Sequence, residues 1–426
     1  MSTTQNITQQ ASAKAIGPAP GGAEASRHVA FLTPEFVTDY RTGGGLGAQV
    51  YRFAKGLLDA GHRPEVFVLH RHESDSTDCD GFPVHRVHLV ESESLWRLMP
   101  LLRQIRKVIP HTYARWVGAQ ALARAMERRG QADPFDLVVS ADFRAVGLSV
   151  KKRPGRRHAI WCCWDAYLWG HTDAKRETLD FRWGCRLERR AIRKADLALA
   201  PSEFLRDYCW QHYRLAMHIV RPPMYAMERP ADVLPGNIPA RYLIHYGLLG
   251  ARKGTDVIAQ ALPLAWREEP ELTMVWAGKE LDCGLLETSR AAWGGQSDRV
   301  LYLGAVERGL LYSLVARSLA SVLPSRVDNL PNTVIESLEL NVPVIGSQGA
   351  SIDEVIEDGV NGRLVPIGDA QALAQAMVAA WRGQIPQPVL KGKSLQVMNE
   401  MEPGRAVQNL LQQAGLINFA NADDKR

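Results

Sequence analysis

The chain has 426 residues, 46% of them hydrophobic and 23% charged, with a formal net charge of +5. This is globular composition, long enough for two or three domains, and it excludes a disordered, collagen-like or disulfide-scaffold chain. The charge is uneven: 33 Lys and Arg stand against 23 Asp and Glu up to Tyr225, and 18 stand against 23 after it.

Residues 1–26 are rich in Ser, Thr, Gln, Ala and Gly and lack the apolar core of a signal peptide. They read as a disordered tail. Residues 28–33 (HVAFLT) predict a strand, residues 42–47 (TGGGLG) a glycine loop, 48–60 a helix stopped by Gly61, and 64–69 the next strand. Such a βαβ rhythm implies a parallel sheet with helices on both faces. It recurs with strands at 135–140, 158–163 and 195–200. A Pro-rich linker over 222–235 interrupts it. A second series follows, with strands at 242–246, 273–277, 300–303, 320–323 and 342–346. Pro386 and Pro388 end that series, and a last helix is expected over 404–413.

The expected fold is therefore α/β, with two doubly wound, Rossmann-like domains and an interdomain cleft. The first domain spans 27–225 and the second 236–385. Residues 386–426 form a helical segment packing back toward the first domain. Ligands of such sheets bind beyond the carboxyl ends of the strands. No run approaches 18 apolar residues, so no spanning helix is expected. The six cysteines show no CxxC pair and no His at metal spacing, as befits reduced cytoplasmic thiols.

Three features could carry chemistry. The glycines over 43–47 would let backbone approach a ligand at a helix start, where anions are favoured; a flexible turn is the plain alternative. They do not have GxGxxG spacing. Residues 247–254 (GLLGARKG) occupy the same place in the second half. They set Arg252 and Lys253 at a helix start, where cations are disfavoured and an anionic ligand would relieve the cost; a solvated basic turn is the alternative. In residues 328–336 (DNLPNTVIE) two acids lie eight apart. Glu336 falls one turn inside a helix among Val334, Ile335 and Leu338. A half-buried carboxylate needs partners, and sugar hydroxyls would serve, though a structural acid reads equally well.

The basic half offers further candidates. Residues 94–116 (SLWRLMPLLRQIRKVIPHTYARW) mix Trp with Arg, as in an interfacial membrane helix or a packed helix pair. Residues 151–157 (KKRPGRR) add a basic turn. Trp161, Trp164, Tyr167, Trp169 and Trp183 read either as a sugar-stacking cluster at the cleft or as core.

Together these residues resemble the GT-B glycosyltransferases, and within them the retaining group called glycosyltransferase family 4. The likeness covers nearly the whole chain after residue 27. It rests on Gly44-Gly45-Leu46-Gly47, residues 188–202 (ERRAIRKADLALAPS), Arg252-Lys253-Gly254 and Leu323-Pro324-Ser325. It rests also on the paired acids running into residues 341–345 (NVPVI), and on residues 359–362 (GVNG) followed by Leu364-Val365-Pro366.

The resemblance implies a retaining, hexosyltransferase-type enzyme. It would move a sugar from a nucleotide-sugar donor to a glycan or lipid-linked acceptor in polysaccharide biosynthesis. Lys253, Asp328 and Glu336 would form the catalytic set. Lys253 would hold the donor diphosphate with Arg252 beside it, Asp328 would contact the transferred sugar, and Glu336 the ribose hydroxyls. The backbone of Asn329, Leu330, Pro331 and Asn332 would meet sugar or phosphate, and Gly44 and Gly45 would close over the diphosphate. No cofactor or metal is implied. Retention would follow from front-side attack, a donor phosphate oxygen taking the acceptor proton.

Three departures stand out. Asp328 replaces the usual Glu. Leu248 replaces the usual Arg, with Arg252 or Arg326 as substitutes. Cys163 or Trp164 stands where many members have His, with Asp165 or His171 available for sugar contacts. A GT-B sugar-nucleotide epimerase, or a sugar-nucleotide-binding module without turnover, remains an alternative. The basic half suggests a cytoplasmic protein docking peripherally on an anionic inner membrane face. No nucleic-acid motif accompanies the charge.

Overall fold

The computed structural model describes residues 25–38, 45–70, 74–89, 107–163, 178–227, 230, 234–282 and 284–418. Gly44, residues 1–24 and 94–106, Trp164, Asp165, Tyr167, Trp169, His171 and Cys283 lie outside them.

The first half runs β1 (His28–Thr33), α1 (Gly45–Asp59), β2 (Arg63–His70), β3 (Asp75–Cys79), β4 (Phe82–His88), α2 (Pro110–Arg129) and β5 (Leu137–Ala141). It continues with β6 (Arg157–Trp161), α3 (Leu179–Lys194), β7 (Leu197–Ala200), α4 (Glu203–Tyr213) and β8 (His218–Ile219). The second half runs β9 (Leu243–Tyr246), α5 (Thr255–Glu268), β10 (Met274–Ala277), α6 (Leu285–Trp293), β11 (Val300–Tyr302), α7 (Arg308–Ala316) and β12 (Ser321–Leu323). Then come α8 (Asn332–Glu339), β13 (Val344–Ser347), β14 (Gly362–Val365), α9 (Ala370–Trp381), α10 (Gly392–Glu400) and α11 (Pro403–Gln413).

The strands form two sheets, ordered β3-β4-β2-β1-β5-β6-β7-β8 and β11-β10-β9-β12-β13-β14. Every pairing is parallel except β3 with β4. All six residues of β1 are buried, as a central parallel strand covered on both faces requires. Its register sets Phe31 opposite both Val66 and Val139. The second sheet is likewise covered on both faces. One core gathers Trp266, Trp276, Trp293 and Trp381, and another gathers Tyr246, Leu323, Ile335 and Met401.

The last helix, α11, belongs to the first domain's core, to which it adds Val407, Leu410 and Leu411. It lies tightly on α1: a Cβ at Gly56 would come within 2.8 Å of Val407. The chain thus crosses back to its first domain after completing the second sheet.

Two local differences from the sequence expectation have physical causes. The β3–β4 hairpin escapes the sequence pattern because Asp75–Cys79 has no apolar alternation. Its turn, Asp80-Gly81, holds both residues at positive φ, 51° and 94°. Asp-Gly is the usual sequence of such a turn and could have revealed it. Helix α1 starts at Gly45 rather than Ala48. Glycine propensity opposes that start, but the Gly47 N–H donates to Glu35 Oε1 at 3.3 Å, tying down the first turn from the preceding loop.

Candidate active site

Sheet order locates the site before any side chain does. In the second sheet the chain leaves β9 for β10 on one side and returns to β12 on the other. The crevice between the carboxyl ends of β9 and β12 is therefore a topological switch point. The loop after β9 carries Arg252 and Lys253, and the loop after β12 carries Asp328 and Asn329. Both loops of interest thus flank one crevice.

The β9 loop is held from beneath. His245 Nδ1 lies 2.7 Å from the Val322 carbonyl, which can only accept, so Nδ1 carries the proton. Nε2 then accepts from the Thr255 hydroxyl at 2.9 Å, and that oxygen accepts the Gly250 N–H at 2.8 Å. Burial keeps this imidazole neutral, lowering its pKa to about 4. Gly254 turns the loop into α5 at φ +74°, with its position for a Cβ only 2.1 Å from the Pro324 carbonyl oxygen. No side chain fits there, so the two loops touch backbone to backbone.

Lys253 Nζ donates to Asp328 Oδ2 across the crevice. The two side chains are 20% and 8% exposed. Asp328 also accepts from the Ser325 hydroxyl at 3.0 Å and from the Asn329 amide at 3.0 Å. Arg252 offers its carbonyl to the Arg326 N–H at 2.8 Å.

Arg326, one candidate for the place of the family arginine replaced by Leu248, is already engaged within the chain. It makes a two-pronged ion pair with Asp256, at 2.5 and 2.7 Å, and donates to the Ala251 carbonyl. Leu248 itself is 43% exposed.

The Asp328–Pro331 loop departs from the expected row of ligand-facing amides. The Asn329 N–H serves Asp328. Leu330, buried at φ 53°, donates its N–H to Ser351 Oγ at 2.6 Å. Pro331 has none. The remaining backbone donors are those at the start of α8, which has no side-chain cap.

Glu336 lies one turn into α8, with Tyr312 donating to its Oε1 at 3.4 Å. Burial pushes this carboxyl above its ordinary range, against the opposing charges of Arg52, Arg308 and Lys253. Lys253, Asp328 and Glu336 therefore belong to one electrostatic neighbourhood.

The first domain closes the crevice. The Asn329 amide group donates to the Cys163 carbonyl at 3.3 Å, and its oxygen accepts from Ser202 Oγ. Cys163 thus stands beside the Asp328–Pro331 loop. Its thiol contacts Asp142 Oδ1 at 3.7 Å, and burial, with Asp142 beside it, raises its pKa well above normal. Asp142 itself follows β5, at the first sheet's own switch point beside β1.

Glu354 reaches the first domain to cap α4, accepting from the amides of Glu203 and Phe204 at 3.0 and 2.8 Å. It also pairs with buried Arg221 at 2.7 Å. Of the glycine loop, Gly45 is exposed and has open space where a Cβ would project. Gly47 instead lies against Phe36, where a Cβ would come within 3.1 Å of backbone.

The aromatic candidates separate. Trp161 is core, edge-on to Phe53 at 4.9 Å and bonded through its Nε1 to Gln49. Trp183 is exposed on α3 with Arg186 above its ring. The 151–157 turn is largely paired within the chain, Arg153 and Arg156 with Glu127 and Lys152 with Asp196. Among the described residues no cluster of His, Cys, Asp or Glu is arranged for a metal, and no helix is long and apolar enough to cross a membrane.

Residues 240–382 match the family profile described as "Glycosyl transferases group 1", and residues 44–222 match the "Glycosyl transferase 4-like domain". The chain belongs to the GT-B glycosyltransferases of group 1. Among curated relatives, the phosphatidyl-myo-inositol mannosyltransferase of Mycobacterium leprae (strain TN) is 30% identical over 144 residues, 32% of this chain and 35% of its own. The amylovoran biosynthesis glycosyltransferase AmsK of Erwinia amylovora is 25% identical over 190 residues, 41% of this chain and 46% of its own. The chain thus spans between about a third and a half of the length of these relatives.

Solved GT-B structures align over most of the chain. Sucrose-phosphate synthase from Thermosynechococcus elongatus superposes with a TM-score of 0.64 at 16% identity, over 91% of this chain and 98% of its own. Anabaena HepE, in complex with UDP and glucose, gives 0.62 at 15% identity, over 92% and 100%. The group 1 motifs point to the two second-domain loops. They left unseen the first-domain groups that reach across to the second, Arg52 at Asn332 and Arg221 at Glu354, and Asp142 behind Cys163. Such contacts join residues far apart in sequence and leave no local pattern.

Proposed function

We propose that the protein is a retaining glycosyltransferase that binds a nucleotide-sugar donor in the β9/β12 crevice and an acceptor on the first domain. The observation that carries this reading is the Lys253–Asp328 pair spanning the switch point, with Glu336 one helical turn away. A diphosphate would take the Lys253 ammonium from Asp328, and the released carboxylate would accept hydroxyls of the transferred sugar. Developing charge on the departing diphosphate would meet Lys253 and the uncapped amides of α8. Glu336 would accept from the ribose hydroxyls. A donor phosphate oxygen would take the acceptor proton in a front-side attack, so no enzyme nucleophile is used. One named relative is a phosphatidyl-myo-inositol mannosyltransferase and the other an amylovoran biosynthesis glycosyltransferase, which supports a lipid-linked or glycan acceptor and a polysaccharide role here.

The deciding experiment pairs a thermal-shift panel of nucleotide sugars with nucleotide release on adding acceptor extracts. A bound donor raises the midpoint by mass action, and Lys253→Ala abolishes both responses. Undiminished turnover in Lys253→Ala overturns the site. Exposed Leu248, with Arg326 committed elsewhere, favours one second reading, a binding module without turnover. That reading requires a midpoint shift with no transfer to any acceptor.

A further inference from the structure

Arg52 is carried on α1 of the first domain, yet its guanidinium leaves that domain. Nη1 lies 3.4 Å from Asn332 Oδ1 at the first residue of α8, and 3.4 Å from Met224 Sδ in the segment that links the domains. Asn332 and Glu336 are four residues apart and so share one face of α8. An arginine seated at Asn332 therefore addresses the Glu336 face.

The seat is electrostatically unusual. It lies at the positive end of α8, where a cation is disfavoured. The charge of Arg308 opposes it as well. What holds a cation there is the carboxylate face, Glu336 and Glu339, both of which attract it. Glu336 in turn is pushed up by burial, and Arg52 stands first among the groups that pull it back. A carboxylate that accepts hydrogen bonds from hydroxyls must be ionised to do so well.

We propose that Arg52 is a positioning residue for the nucleotide pocket: it crosses the cleft from the first domain to the Glu336 face of α8, so that affinity for a nucleoside diphosphate depends on the two domains standing together. This rests on the donor-site reading above. Its consequence is that the first domain contributes to donor binding through a helix side chain, separately from the glycine loop.

The test is calorimetric binding of UDP, GDP and ADP to the full chain, read as a double-mutant cycle. For the nucleotide that binds wild type, Arg52→Met weakens affinity about tenfold and Arg52→Lys about threefold, while in a Glu336→Gln background Arg52→Met changes it less than about twofold. Thermal midpoints without nucleotide report folding. If Arg52→Met does not fold, Arg52→Lys carries the same cycle, its loss vanishing in the Glu336→Gln background. Equal losses in both backgrounds, or no loss in either, overturn the proposal while leaving the donor site standing. Wild type that binds none of the three nucleotides overturns the donor-site reading and this proposal with it.

Discussion

Lys253→Met and Asp328→Asn should move nucleoside diphosphate affinity in opposite directions while both lower turnover. The pair closes the crevice with side chains only 20% and 8% exposed. Removing the lysine leaves Asp328 with the Ser325 hydroxyl and the Asn329 amide as partners. Breaking a fully buried pair costs about 3–5 kcal/mol, and the partial exposure of Lys253 reduces this to about 2–3 kcal/mol. Removing the carboxylate strands a lysine whose flexible stem can reach water, at about 1 kcal/mol. For ligand, Lys253→Met forfeits a charge-assisted contact of about 1.5–3 kcal/mol, so affinity falls about 10- to 100-fold. Asp328→Asn removes the group that competes for Lys253, so affinity rises, by up to about tenfold. Its transfer rate still falls, because the sugar loses its carboxylate. Urea titration gives the stabilities, calorimetry the affinities, and nucleotide release the rates. If both variants weaken nucleoside diphosphate binding, Lys253 and Asp328 act as a structural strut and the competition argument fails.

Gly254→Ala should lower the thermal midpoint and weaken donor binding together, because a Cβ there meets the Pro324 carbonyl at 2.1 Å; an unchanged midpoint refutes the close contact of the loops. Glu354→Ala should cost about 2–3 kcal/mol in urea titrations, since buried Arg221 keeps only Glu400 and the Pro201 carbonyl and the Glu203 and Phe204 amides lose their acceptor; a loss under about 1 kcal/mol contradicts that account. Burial alone would raise the Glu65 carboxyl, but hydrogen bonds from His28 and His85 and the charge of Arg129 hold it at about 2. A depressed carboxyl stabilises the fold above its unfolded value and loses that contribution as pH falls from about 4.5 toward 2, here about 3 kcal/mol. Glu65→Gln should remove this acid slope, and a slope that survives the change assigns it to other groups. Docking of the basic half on a membrane should appear as flotation with anionic vesicles that disappears in high salt; flotation with neutral vesicles would point to apolar insertion instead.

The central strands of both sheets were legible because buried parallel strands read as short apolar runs, as in residues 28–33 and 273–277, whereas the outer strands β3, β4, β8 and β14 were not. The β9 and β12 loops were legible for a related reason. Glycine and charge next to a strand end are locally costly unless something in the fold uses them, and Gly254 with Lys253 shows such a use. The side-chain traffic within those loops was not legible. Arg326 looks in sequence like a spare cation beside the crevice, yet it is tied to Asp256, itself the second residue of α5. The amides of Asn329 and Leu330 look available and are bonded within the chain. Cys163 and Asn329 are even less visible, since their contact depends on how the two domains face each other.

That facing also changes the meaning of the charge asymmetry. A basic first half and an acidic second half suggested an external anionic partner. Part of the asymmetry is instead complementarity inside the molecule. Arg221 is buried between Glu354 and Glu400 of the second half. Arg52 faces the acidic side of α8 in the same sense. Charges at such a seam are shielded from salt more than surface charges are, so they can fix how the domains meet. The crevice lies along this seam. On the donor-site proposal, a ligand bringing two negative phosphates into it would enter a balanced set of charges and would displace Asp328 from Lys253 to bind. That exchange would select a diphosphate over a lone sugar, because a neutral sugar offers Lys253 nothing to replace the carboxylate it would give up.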